Sequence, residues 1–241
     1  MSAIIDLPSP NCRARPDGAV IDTLVLHYTG MQSGQAAIDR LRDPAAEVSS
    51  HYVVEEDGRV FRLVAERLRA AHAGISNWRG RAMLNDSSIG IEIVNPGHEW
   101  GYRPFPPAQI DAVRALCLGI LDRHPIEQRR IVGHSDIAPD RKQDPGELFP
   151  WATLAASGIG LFPHGVADAG TENPVSGATR LAPIRARLRS IGFGIDEEGE
   201  MDQALRIVLL AFQRRWRPET VNGLADAGTV ARLDAVAALY A

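Results

Sequence analysis

Short apolar runs separated by polar turns fill the first part of the chain. Runs rich in β-branched and aromatic residues predict buried strands, and two runs on either side of Asp57-Gly58 predict a hairpin. The predicted strands cover residues 22–28, 51–54, 59–64, 89–94 and 131–133.

Apolar residues recur at helical spacing after Pro107, which opens a predicted helix that ends near His124-Pro125. Its apolar face carries Ile110, Val113, Cys117, Ile120 and Leu121. Because strands alternate with helices, the pattern predicts an α/β fold in which a mixed central β-sheet is flanked by helices.

The pattern changes near residue 162. Residues 162–177 are rich in Gly, Pro, Ala and Asp without periodicity, which is typical of a linker. Residues 178–241 carry three apolar stripes at helical spacing and predict a small three-helix C-terminal domain. The first domain is therefore expected to span residues 1–161.

Composition and charge indicate a globular protein and argue against two classes, nucleic-acid-binding and membrane-spanning proteins. The chain has 241 residues, is 45% hydrophobic and 23% charged, and carries a formal net charge of −4. These values are typical of a globular protein. Neither part of the chain is a basic block, so no nucleic-acid partner is expected. No apolar run reaches the ~18–20 residues of a membrane span, so no transmembrane segment is expected.

Two cysteines, Cys12 and Cys117, lie far apart and outside any metal-binding spacing. Cys117 falls on the apolar face of the predicted helix and is interpreted as a small core residue. No disulfide is expected.

Three titratable side chains interrupt apolar strands. His27 follows Leu24-Val25-Leu26, His134 follows residues 131–133, and Glu92 lies inside residues 89–94. A charge in an apolar strand is costly to bury unless it is paired or faces a water-filled cleft. A lone histidine at a strand end is usually structural, but two with an embedded glutamate favour a shared metal site.

The polar loop after His134 supplies carboxylates. Zinc in hydrolases takes three His or Asp/Glu ligands and leaves the fourth position to water, and His27, His134 and Asp144 meet that count. Two alternatives stay open. Asp144-Pro145-Gly146 alone is also typical of an ordinary turn, and Asp136 either competes as a ligand or supports one from behind.

The loop from Gly133 to Gly146 resembles the signature of the AmpD/AmiD-type zinc N-acetylmuramoyl-L-alanine amidases. Other matching segments follow in the family's order over roughly residues 22–162. They are His27-Tyr28-Thr29, Ser49-Ser50-His51-Tyr52, His72-Ala73-Gly74 and Asn85-Asp86-x-Ser88-Ile89-Gly90-Ile91-Glu92. Phe149-Pro150-Trp151 and Gly158-Ile159-Gly160 resemble the AmiD branch.

The C-terminal part carries a second resemblance. Ala211-Phe212-Gln213 and Asn222-Gly223-x-Ala225-Asp226-x-x-Thr229 are similar to the three-helix peptidoglycan-binding module. Two interpretations stay open: the helices bind the cell wall, or they only pack on the first domain.

The amidase resemblance implies a reaction and roles for residues. Zn²⁺ would lie on His27, His134 and Asp144, Glu92 would be the general base, and Lys142 would stabilise the charge on the carbonyl oxygen. The bond hydrolysed would join N-acetylmuramic acid to the L-alanine of the stem peptide. The implied partner is peptidoglycan or a muropeptide.

Residues near the metal are candidates for a substrate groove. These candidates are His51, His72, Trp78, Arg81 and Asn85. Trp78 has two interpretations, stacking on a sugar or burial. Met83 stands where the family usually has an arginine, so either Arg79 or Arg81 is expected to grip a carboxylate of the stem peptide.

The alternative from another class is a non-catalytic peptidoglycan-recognition protein, which usually lacks a metal ligand; all three are present here. A metalloprotease would need a His-Glu-x-x-His helix, which the chain lacks.

The beginning of the sequence has no features of an export signal, so a cytoplasmic location is expected, where the enzyme would meet soluble anhydro-muropeptides. AmiD-type relatives are often lipid-anchored in the periplasm, so a periplasmic location and a polymeric substrate stay open. A monomer is expected.

Overall fold

The predicted strand runs form the centre of a mixed sheet. The computed structural model describes residues 4–172 and 174–241, so three residues of the expected first domain and one of the expected linker lie outside it. The strands in these ranges are β1 (Ile5–Asp6), β2 (Cys12–Ala14), β3 (Thr23–Tyr28), β4 (Tyr52–Val54), β5 (Val60–Arg62), β6 (Leu68–Ala70), β7 (Asn77–Trp78), β8 (Arg81–Ala82), β9 (Ser88–Ile93) and β10 (Ile131–Gly133).

Six strands form the main sheet in the order β1-β5-β4-β9-β3-β10. β4 and β5 form the predicted antiparallel hairpin, whereas β9 is parallel to both β3 and β4. In this register His27 lies opposite Glu92. Because β3, β9 and β10 run parallel, their carboxyl ends meet at one edge of the sheet, and the chain after β10 continues there into His134.

Eight helices surround this sheet within the described part of the chain. They are α1 (Gly34–Arg42), α2 (Gly97–Trp100), α3 (Pro107–Arg123), α4 (His134–Ile137), α5 (Trp151–Ala155), α6 (Ala178–Ile191), α7 (Gln203–Trp216) and α8 (Ala227–Tyr240). The prediction of α/β architecture with a helical C-terminal part is confirmed. None of these helices is both long enough and apolar enough to traverse a lipid bilayer.

The two faces of the sheet are covered by different helices. Leu24 and Leu26 of β3 point to the face that packs against α3. Val25, between them, points to the opposite face and joins Val132 of β10 in a core that includes the buried residues of α6, α7 and α8. Successive residues of a strand alternate between faces, so His27 projects from the same face as Val25.

The C-terminal helices share their core with the first part of the chain. Trp78 of β7 is fully buried and contacts Phe193 and Tyr240 edge-on, with ring centroids 5.3 and 6.5 Å apart. The backbone N–H of Arg79 donates to Gly192 O (2.9 Å). The bundle therefore forms a layer of the structure.

The segment expected to be a linker also packs against the helices. Asp168 and the carbonyl of Gly170 accept hydrogen bonds from the buried guanidinium of Arg217. The N–H of Val175 donates to Ala225 O (2.9 Å). Residues 162–172 and 174–177 are thus fastened to the bundle in the structure, although their composition is typical of a flexible connection.

Candidate metal centre

The carboxyl edge of the parallel strands brings together two histidines and an aspartate. His27 Nδ1 lies 2.9 Å from His134 Nδ1, and each of these nitrogens lies 3.1 Å from Asp144 Oδ2. All three side chains are buried, and their ligand atoms form a group able to hold a metal ion.

The geometry and chemistry of this group fit zinc. Ligand atoms bonded to one tetrahedral zinc at about 2.0–2.1 Å lie about 3.3–3.4 Å apart, close to the separations found here. Two imidazoles and one carboxylate are also the donor types that catalytic zinc sites use, with one position left for water. The residues therefore fit a zinc ion with small side-chain movements.

Local contacts hold the loop that carries two of these ligands. The N–H of Ser135 donates to Asp144 O (2.8 Å), which ties the first turn of α4 to the far end of the loop. Gly133 approaches Pro145 so closely that a Cβ there would lie 2.7 Å from the proline Cδ. A side chain at position 133 would therefore separate His134 from Asp144.

The remaining nitrogens of both histidines also have partners. His27 Nε2 lies 3.0 Å from His72 Nδ1, and His72 Nε2 lies 3.0 Å from Ser88 Oγ. His134 Nε2 lies 3.3 Å from Ala73 O. Such contacts fix the tautomer and ring orientation of metal-ligating histidines, so here they leave both Nδ1 atoms to face Asp144.

The protonation states suit metal binding, which requires neutral imidazole and ionised carboxylate. Burial, with the nearby His134, lowers the pKa of His27 to about 4. Burial alone would raise the pKa of Asp144, but the adjacent His134 and His27 outweigh it and hold that pKa below its usual value. At neutral pH His27 is therefore neutral and Asp144 is ionised, as metal binding requires.

Gly90→Ala tests the contact behind His27. Gly90 lies in the buried centre of β9, and a Cβ there would come 2.4 Å from the His72 ring. We expect the substitution to displace His72 and lower zinc affinity by roughly 10–100-fold, as loss of such supporting contacts does. Competition with a chelator measures the affinity.

Gly194→Ala is the matched control for this prediction, because a Cβ at Gly194 would meet only the Asn77 side chain, at ordinary contact distances of 3.4 Å or more. Unchanged zinc affinity in the Gly90 variant, with the protein folded, would show that the contact between His72 and His27 does not support the metal.

A cleft of about 460 Å³ is lined by two of the three candidate ligands. Glu92 and Lys142 both line it, beside His134 and Asp144. The Oε2 atom of Glu92 is buried and has no hydrogen-bond partner among the described residues. Burial, with the Asp144 carboxylate, raises the pKa of Glu92 well above its usual range, and Lys142 opposes the shift.

Comparison with known proteins agrees with this geometry. Residues 17–147, more than half of the chain, match the model of the family described as N-acetylmuramoyl-L-alanine amidase.

The chain belongs to the N-acetylmuramoyl-L-alanine amidase family. It is 40% identical to N-acetylmuramoyl-L-alanine amidase AmiD of Escherichia coli over 91% of this chain and 83% of that protein. It is 36% identical to 1,6-anhydro-N-acetylmuramyl-L-alanine amidase AmpD of Haemophilus influenzae, over 63% of this chain and 90% of that protein. The prediction of an enzyme of this amidase class is confirmed.

Solved structures of the amidase family show the same fold. The Escherichia coli AmiD structure, in complex with the substrate anhydro-N-acetylmuramic acid-L-Ala-D-γ-Glu-L-Lys, has a TM-score of 0.81 at 38% identity and covers 95% of this chain and 93% of that one. AmpDh3 of Pseudomonas aeruginosa, in complex with anhydromuramic pentapeptide, has a TM-score of 0.80 at 32% identity and covers 100% and 99%.

Only one of the five groove candidates lies on the cleft of this amidase. His72 lines the cleft. Asn85 does not line it but supports His72, because its Oδ1 accepts the backbone N–H groups of His72 and Ala73 (3.0 and 2.8 Å). His51 is buried one layer further back, with its Nδ1 accepting from Gly90 N (3.0 Å).

The two remaining candidates lie away from the cleft. Trp78 is fully buried and donates its indole N–H to Arg129 O (3.1 Å), so of its two interpretations the structure shows burial. Arg81 pairs with Asp22 at the surface, and the Arg79 guanidinium donates to carbonyls at the end of α6. Neither of the two arginines considered for the stem peptide faces the metal ligands.

Several residues on the cleft are missing from the sequence candidates. They are Tyr28, Arg40, His98, Glu99 and Arg141. Arg40 belongs to α1, whose signal in the sequence is the cap at Ser33, where Oγ accepts from Ala36 N (3.2 Å), followed by Ala37, Ile38 and Leu41 at helical spacing. Recognising that helix would have placed Arg40 on the side of α1 that borders the site.

Proposed function

We propose that this amidase uses Zn²⁺, held by His27, His134 and Asp144, to hydrolyse the amide bond between N-acetylmuramic acid and L-alanine in muropeptides, including anhydro-muropeptides. The observation that carries the proposal is the group of three buried ligand atoms beside a cleft that is lined by His134, Asp144, Glu92 and Lys142. The relatives solved with anhydromuramic peptides support this substrate class.

The metal supplies the activation of water. When bound at such a site, zinc lowers the pKa of a coordinated water to about 7 and polarises carbonyl groups. The chain contributes the two imidazoles and the ionised carboxylate described above, together with the contacts that orient them.

Glu92 carries the proton in this proposal. Its Oε2 atom is buried in the cleft without a partner, and a raised pKa makes it a better proton acceptor than an exposed glutamate. It takes a proton from the attacking water and delivers it to the nitrogen of L-alanine as the amide bond breaks. The released stem peptide then leaves with a free amino group.

Lys142 places positive charge at the same cleft. Its backbone N–H donates to Ala138 O (3.0 Å), which fixes the start of the segment leading to Asp144. In this position the ammonium group stabilises the oxygen of the scissile carbonyl as it becomes negative. Arg40 and Arg141 add further positive charge to the lining, which suits a stem peptide that carries carboxylates.

Incubation with a defined anhydro-muropeptide, followed by mass spectrometry, tests this function. We expect the free stem peptide and intact anhydro-N-acetylmuramic acid, with activity lost after chelation and restored by zinc. A recognition protein would retain the muropeptide without cutting it. Substrate recovered uncut from zinc-loaded protein, or cleavage inside the peptide, would contradict the proposal.

Removal of the C-terminal helices tests whether they act as an independent wall-binding module. Truncation after residue 165 would expose Val25, Trp78 and Val132, which pack against the bundle. We therefore expect the melting temperature to fall by about 10 °C or more. We also expect activity to fall on soluble muropeptide and polymeric peptidoglycan alike.

An unchanged melting temperature, with loss of activity confined to the polymer, would contradict that prediction. It would instead support the alternative in which a tethered module raises the local concentration of enzyme on an insoluble substrate.

A further inference from the structure

One arginine of the C-terminal bundle reaches the loop that carries His134. Arg215, near the end of α7, has a side chain that is 1% exposed and forms an ion pair with Asp136. Its Nη2 donates to Ile131 O in β10 (3.0 Å). The guanidinium also lies between two indole rings, with its carbon 4.0 Å from the Trp151 ring and 4.4 Å from the Trp216 ring.

Asp136 connects this arginine to the metal ligand. It lies in the single turn of α4, which begins at His134. The Oδ2 atom that faces Arg215 also accepts the N–H of Gly133 (2.8 Å), the residue directly before His134. The carboxylate is therefore fastened on one side to α7 and on the other to the backbone from which His134 projects.

We propose that Arg215 is a positioning residue for the metal centre, acting through Asp136 on His134; the inference rests on the proposed zinc site. Through this contact the C-terminal bundle helps to hold a metal ligand in place. The role is separate from any binding of the cell wall, because Arg215 is buried and faces the amidase part.

The burial of both partners explains why the pair controls the position of His134. The Asp136 side chain is 1% exposed, and its Oδ1 atom has no hydrogen-bond partner in the described part of the chain. Removing the arginine would leave a buried carboxylate unpaired, which is strongly unfavourable. The carboxylate must then move or admit water, and the Gly133 N–H that it holds moves with it.

Zinc affinity of the full-length Arg215→Met variant tests the inference. We expect the zinc dissociation constant, measured by chelator competition at a temperature where the protein is folded, to rise about tenfold. Arg217→Met is the matched control. Arg217 is also 1% exposed and paired with buried Asp226, but its hydrogen bonds stay within the C-terminal part and the segment leading to it.

Both variants are expected to melt at lower temperature, but only the Arg215 variant should bind zinc more weakly. Equal zinc affinity in the two variants and the wild type would overturn the positioning role and leave Arg215 a purely structural residue. If the wild type binds no zinc, the proposed function fails instead, so the two failures are distinguishable.

Arg215→Lys keeps the test decisive if Arg215→Met does not fold. Lysine retains a charge for Asp136 but has no planar group to lie between the indoles and donate to Ile131 O as well. We expect a zinc dissociation constant two- to fivefold above that of the wild type. Wild-type affinity in this variant would overturn the proposal.

Discussion

Replacing Asp144 by alanine is expected to remove bound zinc and amide hydrolysis together. The substitution leaves two histidines whose Nδ1 atoms lie 2.9 Å apart and removes the negative charge between them. Turnover should fall on the order of 10³-fold or more, because the metal that activates water is lost. Elemental analysis of the purified variant, beside an assay of stem-peptide release, measures both effects.

Asp140→Ala is the control for this prediction, since it removes an exposed carboxylate from the same loop and should retain zinc and turnover. Full zinc occupancy in the Asp144 variant would remove Asp144 from the ligand set. Asp136 and His51 would then have to be considered, although Asp136 pairs with Arg215 and His51 lies behind His72.

Glu92→Gln is expected to separate metal binding from the chemical step. Glutamine has the same size and hydrogen-bonding capacity but cannot accept a proton. Zinc should therefore stay bound while kcat falls by roughly 10²–10⁴-fold. Single-turnover kinetics on a soluble muropeptide, with zinc content measured on the same sample, checks the result.

Glu56→Gln is the control, because it makes the same glutamate-to-glutamine replacement away from the cleft. Glu56 pairs with Arg103 at the surface, so its substitution should leave kcat unchanged. Near-native turnover in the Glu92 variant would mean that another group accepts the proton and that the buried, unpaired Oε2 atom has no part in the reaction.

The grouping of the candidate metal ligands could be predicted because it depends on the local sequence pattern. His27 and Glu92 interrupt apolar strands, and the parallel register that places them opposite each other follows from burying those strands side by side. The choice between Asp144 and Asp136 could not be made in the same way. That choice depends on Arg215, which lies 79 residues after Asp136 in the chain. Arg215 pairs with the Asp136 carboxylate, so the Asp144 carboxylate is the one that faces the histidines.

Four of the five groove candidates do not line the cleft, for a related physical reason. Trp78 is followed by two arginines separated by Gly80, a local pattern that leaves both exposure and burial open, and in the structure Phe193 and Tyr240 cover it. Whether a side chain at an interface between two parts of the chain is buried depends on the part that packs against it. The apolar stripes predicted the three C-terminal helices correctly, but they did not indicate that those helices cover one face of the sheet.

Anomalous diffraction at the zinc absorption edge, from crystals of the zinc-loaded enzyme, tests the proposed metal centre most directly. One strong peak is expected within about 2.0–2.2 Å of His27 Nδ1, His134 Nδ1 and an oxygen of Asp144. His27 Nε2 is expected to stay in contact with His72. A peak bonded to His27 Nε2 and His72, or one that excludes Asp144, would contradict the proposed metal centre.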